Sequence, residues 1–203
     1  MMVKVKICGI TRWDDAKLAV DLGAALLGFV FWKKSPRYVT PSSVRTITSR
    51  LPEDISRVGV FVDTPLQEIE RIVEHAQLSA VQLYGNAGVP VSSRYQVIRA
   101  IGVQGEETIK SIDLIPKEIT LLLDAHDPVK VGGTGRVFDW AVAAAVAKSR
   151  QMFLAGGLTA DNVKEAVRTV NPYGIDVSSG VERAAGEKEP TALRAFFREA
   201  LTQ

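Results

Sequence analysis

Short apolar runs alternate with amphipathic runs along the whole chain. Val3–Cys8 is rich in β-branched residues and reads as a strand. Trp13–Leu22 follows, with Ala16, Leu18, Ala19 and Leu22 at helical spacing. Asp14 and Asp15 suit the positive end of that helix, and Gly23 is a natural stop. The same alternation predicts strands over Leu26–Phe31, Arg57–Val62, Ala80–Leu83, Val97–Ile101, Ile119–Asp124, Met152–Ala155 and Gly174–Val177. Between and after them it predicts helices over Pro41–Arg50, Pro65–Ala76, Glu106–Leu114, Trp140–Lys148, Ala160–Val170 and Thr191–Leu201, with a faint helical pattern over Val89–Arg94. Pro41 fits a first helical position. Thr64 and Thr159 are expected as N-caps, with Asp161 in the first turn after the latter.

Strand and helix thus alternate roughly eight times, which defines an α/β fold and closes naturally into a (βα)8 TIM barrel. The strands are mostly continuous apolar runs, as parallel strands buried on both faces require. An open doubly wound sheet is the main alternative, but no G-x-G-x-x-G turn follows the first strand. At 203 residues the chain is read as one barrel domain, 1–203, with short loops.

Composition narrows the function classes. Apolar residues make up 46% of the chain, enough for a core and too many for a disordered protein. The formal charge of +2 comes from scattered lysines and arginines, without the basic stripe that nucleic acid needs. It is compatible with an anionic small substrate. The single cysteine, Cys8, cannot form an internal disulfide. Charges interrupt the first residues, so no signal-peptide core is read there, and Leu22–Trp32 is too short to span a bilayer. A cytoplasmic protein without membrane association is the expectation.

In a barrel of this kind the chemistry sits at the carboxyl ends of the strands. That rule selects Cys8, the segment around Arg37, Asp124, Gly156-Gly157 and the run Asp176 to Gly180. Cys8 is either a small buried hydrophobe, the usual fate of a lone cysteine, or a thiolate base or nucleophile. Arg37 offers a fork for a carboxylate, stiffened by Pro36, while Lys33 and Lys34 read as solvated. Asp124 ends the run Leu121-Leu122-Leu123 and leads into the barrel mouth, as a cap or as an acid whose partial burial holds its proton toward neutrality. Gly132-Gly133-Thr134-Gly135 lacks the lysine of a P-loop and is a loop or a lid. Gly156-Gly157 and Ser178-Ser179-Gly180 are either tight turns or a phosphate grip built from backbone N–H groups. His75 and His126 are not spaced as metal ligands, so no metal is expected.

Taken in order, a series of motifs resembles the phosphoribosylanthranilate isomerase family of tryptophan biosynthesis. They are Lys6-Ile7-Cys8-Gly9-Ile10-Thr11, Gly28-Phe29-Val30-Phe31, Ser35-Pro36-Arg37-Tyr38, Val58-Gly59-Val60-Phe61-Val62 and Val81-Gln82-Leu83. Leu122-Leu123-Asp124, Gly132 to Gly135, Phe138-Asp139-Trp140, Ala155-Gly156-Gly157-Leu158 and Asp176 to Glu182 complete them. The resemblance implies an intramolecular oxidoreductase, an aldose–ketose isomerase performing an Amadori rearrangement on a small-molecule phosphosugar without cofactor. It implies Cys8 as general base, Asp124 as general acid and Arg37 as the clamp on the anthranilate carboxylate. It also implies phosphate binding by Gly156, Gly157, Ser178, Ser179 and Gly180, with Asp176 as a further active-site carboxylate. Where the family motif usually reads Val-Gln-Leu-His-Gly, this chain has Tyr84, which can still donate a hydrogen bond and pack on a ring. The histidine-pathway aldose–ketose isomerase is the nearest rival; it typically has a carboxylate where Cys8 stands. A non-catalytic phosphate-binding barrel is the rival of a different class. A monomer or a homodimer fits equally, since the apolar helix around Ala141–Ala147 can face either a partner or the barrel.

Overall fold

The computed structural model describes residues 3–85, 94–103, 112–124 and 140–202. Eight parallel strands close into a barrel in chain order. They are β1 (Lys4–Ile7), β2 (Leu26–Val30), β3 (Ser56–Val62), β4 (Ala80–Tyr84), β5 (Gln96–Gly102), β6 (Thr120–Asp124), β7 (Met152–Ala155) and β8 (Gly174–Val177). β8 closes the ring on β1 in a register that pairs Lys6 with Asp176. The described helices are α1 (Trp13–Asp21), α2 (Pro41–Thr48), α3 (Leu66–Ala76), α4 (Trp140–Ala147), α5 (Val163–Val170) and α6 (Pro190–Leu201). A short 3-10 turn over Ser179–Val181 leads into an antiparallel hairpin, β9 (Glu182–Ala184) and β10 (Glu187–Lys188). The helical pattern at Val89–Arg94 and that at Glu106–Leu114 fall largely outside the described residues, as do His126 and the loop Gly132–Gly135.

The period of two in each strand sorts its residues between two cores. Val5, Ile7, Leu27, Phe29, Leu121, Leu123, Leu154 and Ile175 pack outward against Ala16, Val44, Ile69, Val163 and Phe196 of the helices. Leu26, Val58, Ala80, Ile98, Leu122 and Phe153 fill the barrel interior. Burial on both faces is why the strands read as unbroken apolar runs, and each buried Leu or Phe contributes about 1.5–3 kcal/mol. Nearer the mouth a smaller layer holds Cys8, Val30 and Val60. Among the described residues of the eight barrel strands, the buried polar side chains are Lys6, Gln82 and Asp176.

Most helix signals hold, with two corrections. Pro41 starts α2 behind Thr40, whose Oγ1 accepts from the N–H of Ser43 at 3.1 Å. Gly23, at φ +103°, ends α1. Thr64 does not cap α3. Pro65 takes extended backbone at the cap position, so Thr64 lies one residue early and its hydroxyl donates back to the Val62 carbonyl. Thr159 does not cap α5 either. It opens a separate turn in which its hydroxyl accepts from Asp161, and the helix begins only after Asn162. The inward face of α4 packs on its own barrel: Ala143 and Val146 are buried and α4 contacts α5, while Ala141 and Ala145 are exposed.

Candidate active site

One pocket of about 460 Å³ opens at the carboxyl ends of the strands. Its walls contain all the residues selected from the sequence: Cys8, Arg37, Asp124, Gly156, Gly157, Asp176, Ser178, Ser179 and Gly180. Cys8 follows β1 and Asp124 ends β6, so the thiol and the carboxylate enter from strands separated by β7 and β8 on the shorter way round. Lys33 and Lys34 are exposed, as expected of solvated residues, and so is His75.

Cys8 is nearly buried beside a charged pair. Lys6 Nζ donates to Asp176 Oδ1 at 2.9 Å, and the Lys6 side chain is wholly inaccessible to solvent. Burial pushes the Cys8 thiol up from its ordinary value and Asp176 adds to the push; Lys6 and Lys188 oppose it without cancelling it. Burial alone would lower the Lys6 ammonium, but Asp176 and Cys8 more than offset this and hold it above the ordinary lysine value. The space for this cluster comes from Gly28 on β2. A Cβ there would stand 2.9 Å from Cys8 Sγ and 3.0 Å from Lys6 Nζ.

Arg37 does not stand free as a clamp. Its Nε lies 3.0 Å from both carboxylate oxygens of Glu182, and its Nη2 donates to Oε2 at 2.6 Å. Glu182 also accepts from Lys188 Nζ at 2.9 Å. Burial would raise the Glu182 carboxyl, but these two cations outweigh it and hold the group below the usual carboxylate range. Two cations therefore share one carboxylate at the pocket rim. Lys188 further donates to the carbonyls of Cys8 at 2.5 Å and Ser178 at 3.2 Å. It pins the ends of β1 and β8 to the hairpin.

On the opposite wall stands Tyr84. Its hydroxyl accepts from Gln82 Nε2 at 3.2 Å and donates toward Asp124 Oδ2 at 3.4 Å. Burial, with Asp124 nearby, drives the Tyr84 phenol far above its ordinary value, so it remains a donor at any working pH.

The turns after β7 and β8 are built for close approach. Gly156 and Gly157 have φ of +90° and +65°. Asn162 fixes this turn by donating to the Gly157 carbonyl and accepting from the Thr159 N–H, each at 2.9 Å. Gly180 lies against it so tightly that a Cβ would meet the Leu158 carbonyl oxygen at 1.9 Å.

Sequence reasoning missed four residues here: Lys6, Glu182, Lys188 and Asn162. Lys6 carried a readable signal. In a strand whose outward residues are Val5 and Ile7, it must point inward with Cys8. Lys188 carried none, because only the hairpin fold brings it back 180 positions to Cys8.

A closed (βα)8 barrel with a thiol, two carboxylates and paired glycine turns gathered at its mouth defines a (βα)8-barrel enzyme with its site at the carboxyl ends of the strands. The profile of the N-(5'-phosphoribosyl)anthranilate (PRA) isomerase family matches residues 5–199. The chain is 46% identical to N-(5'-phosphoribosyl)anthranilate isomerase of Pelobacter propionicus over 97% of this chain and 95% of that protein. It is 43% identical to that of Geobacter metallireducens, covering 98% and 99%. The crystal structure of phosphoribosyl anthranilate isomerase from Thermotoga maritima superposes with a TM-score of 0.89 at 39% identity, covering 98% of each chain. A phosphoribosyl anthranilate isomerase in complex with reduced 1-(o-carboxyphenylamino)-1-deoxyribulose 5-phosphate superposes at 0.86 with 37% identity, covering 98% of each chain. The chain belongs to the phosphoribosylanthranilate isomerase family.

Proposed function

We propose that the chain converts N-(5-phosphoribosyl)anthranilate to 1-(2-carboxyphenylamino)-1-deoxyribulose 5-phosphate, with Cys8 as general base and Asp124 as general acid. The observation that carries the assignment of roles is that both groups line one pocket with Arg37 and the two glycine turns. Asp124 protonates the furanose ring oxygen, the ring carbon–oxygen bond breaks, and the nitrogen lone pair forms the iminium. The Cys8 thiolate removes the proton on the adjacent sugar carbon, and the electron pair moves to give the enolamine. That species gains a proton at the terminal carbon and loses the enol proton to become the ketone. Solvent exchange returns the proton from sulfur and reprotonates Asp124.

Gly156, Gly157, Ser178, Ser179 and Gly180 hold the phosphate, remote from the reacting carbons, so that binding energy orients them. Arg37 keeps N–H capacity beyond its pair with Glu182 and takes the anthranilate carboxylate at the rim. Asp176 keeps the Lys6 ammonium beneath the base. Among the described residues no helix is long and apolar enough to cross a membrane, and no three His, Cys, Asp or Glu are grouped to hold a metal ion. One solved Thermotoga maritima relative is described as monomers generated from a dimeric phosphoribosylanthranilate isomerase, and this chain is expected as a monomer or a homodimer.

The test is turnover of phosphoribosylanthranilate, followed by the change in anthranilate fluorescence, in the wild type, Cys8→Ala and Asp124→Ala. Each substitution is expected to cost about 10²–10⁴-fold, the usual range for a positioned acid or base. A folded wild type without turnover overturns the reading, and histidine-pathway substrates are then the next to try. Full turnover in either variant removes that residue from its role.

A further inference from the structure

We propose that Lys6 is a positioning residue whose buried ammonium supplies the counter-charge for the Cys8 thiolate. This rests on the reading of Cys8 as the base. The geometry is specific. The gap beside Gly28 is bounded by Cys8 Sγ at 2.9 Å and Lys6 Nζ at 3.0 Å, so sulfur and ammonium lie at most about 6 Å apart in the buried interior. Lys6 Nζ spends one donor on Asp176 and has two others, which leaves it free to serve the sulfur as well.

The other charged and titratable groups facing Cys8 are differently engaged. Lys188, from β10, is taken up by two carbonyls and Glu182. Arg37, from the segment after β2, is forked on Glu182. Tyr84, from β4, is neutral. Asp176, from β8, opposes the thiolate. Lys6 is thus the cation of this set that is not committed to Glu182, and its Nζ borders the same Gly28 gap as Cys8 Sγ.

A purely structural role explains the arrangement poorly. A buried ion pair usually gains little stability over a well-packed apolar pair, because desolvation offsets the attraction. A lysine with no solvent-accessible surface, directly under a thiol that must ionise, has instead a chemical consequence. Burial pushes the thiol up, and Lys6 is the largest influence pulling it back.

The test reads Cys8 without using turnover. Cys8 is the single cysteine, so alkylation of the full chain by iodoacetamide, followed by mass against pH, reports its thiolate alone. In Lys6→Met the midpoint is expected to rise by about one pH unit, with an alkylation rate about tenfold lower at pH 8. In Asp176→Asn, which keeps a hydrogen-bond partner for Lys6 but removes the opposing charge, the midpoint is expected to fall. The double variant Lys6→Met/Asp176→Asn leaves no buried unpaired charge and is expected between the two. Circular dichroism checks that each is folded.

Opposite shifts in the two single variants support the proposal, because general loosening of the pocket would move both the same way. Coincident profiles for wild type and Lys6→Met, or a double variant no higher than Asp176→Asn, overturn it. If alkylation shifts as expected and the wild type has no isomerase turnover, the proposed function fails and the pairing of Lys6 with Cys8 stands. If turnover is normal and alkylation does not shift, only the role of Lys6 fails.

Discussion

Replacing Gly28 by Ala puts one methyl into the gap between the base and its neighbours. The new carbon would lie 2.9 Å from Cys8 Sγ, 3.0 Å from Lys6 Nζ and 3.2 Å from Cys8 Cα. Unstrained carbon contacts lie at about 3.5–4.0 Å, so something must retreat by roughly half an ångström. Lys6 can adjust its chain, but Cys8 Cα is held: its N–H donates to Val177 at 2.8 Å and its carbonyl accepts from Lys188 at 2.5 Å. The strain therefore falls on the position of the sulfur. Overpacking of this size costs about 1–3 kcal/mol, which in a domain of this length lowers Tm by roughly 2–12 °C. A shift of about half an ångström in a reacting atom, where about 1 Å costs on the order of 100-fold, is expected to reduce kcat about tenfold. KM is expected to change little, because the turns after β7 and β8 are untouched. Thermal melting and fluorescence progress curves measure both. Gly102→Ala is the control, since a Cβ there meets nothing within 4 Å. It is expected to stay within about 0.5 kcal/mol of wild type. Wild-type kcat and Tm in Gly28→Ala would refute the claim that Gly28 sets the seat of Cys8.

The raised Cys8 thiol fixes the sign of the pH dependence: the base is active only when ionised, so kcat/KM is expected to rise with pH through and beyond neutrality, and a flat profile from pH 6 to 9 counts against a thiolate base. Lys188→Met leaves the buried Glu182 carboxylate with Arg37 as its one cation beside the Gly186 N–H, and frees the carbonyls of Cys8 and Ser178. Urea unfolding should show a loss of about 3–5 kcal/mol, and a loss under about 1 kcal/mol would mean the hairpin anchor is dispensable. Tyr84→Phe strands Gln82 Nε2 and removes one donor to Asp124, so a stability cost of about 1–3 kcal/mol is expected together with lower kcat. Tyr84→His, which keeps a hydrogen-bond donor at this position, should recover most of the activity, and equal loss in both variants would remove the donor from the explanation.

The barrel and part of the chemical inventory of its mouth are readable from the chain alone. Parallel strands buried on both faces must be continuous apolar runs, so their number and spacing are local properties that survive in the text of the chain. The first polar or flexible residue after such a run must emerge at the mouth, which is why Cys8, Asp124 and the glycine turns were legible one by one. Helix starts were less secure: Thr64 and Thr159 have the right chemistry for caps, but the backbone beyond each delays the helix, and that is decided by the turn as a whole. Tertiary structure alone decided how the site is charged. Lys6 meets Asp176 across 170 positions because β8 closes on β1, and Lys188 reaches Cys8 because the β9–β10 hairpin folds back over the barrel end. The same closure pairs Arg37 with Glu182 and so turns a free clamp into part of a shared cluster. Electrostatic partners are set by distance in space, and in a closed barrel the first and last strands are neighbours whatever separates them in sequence.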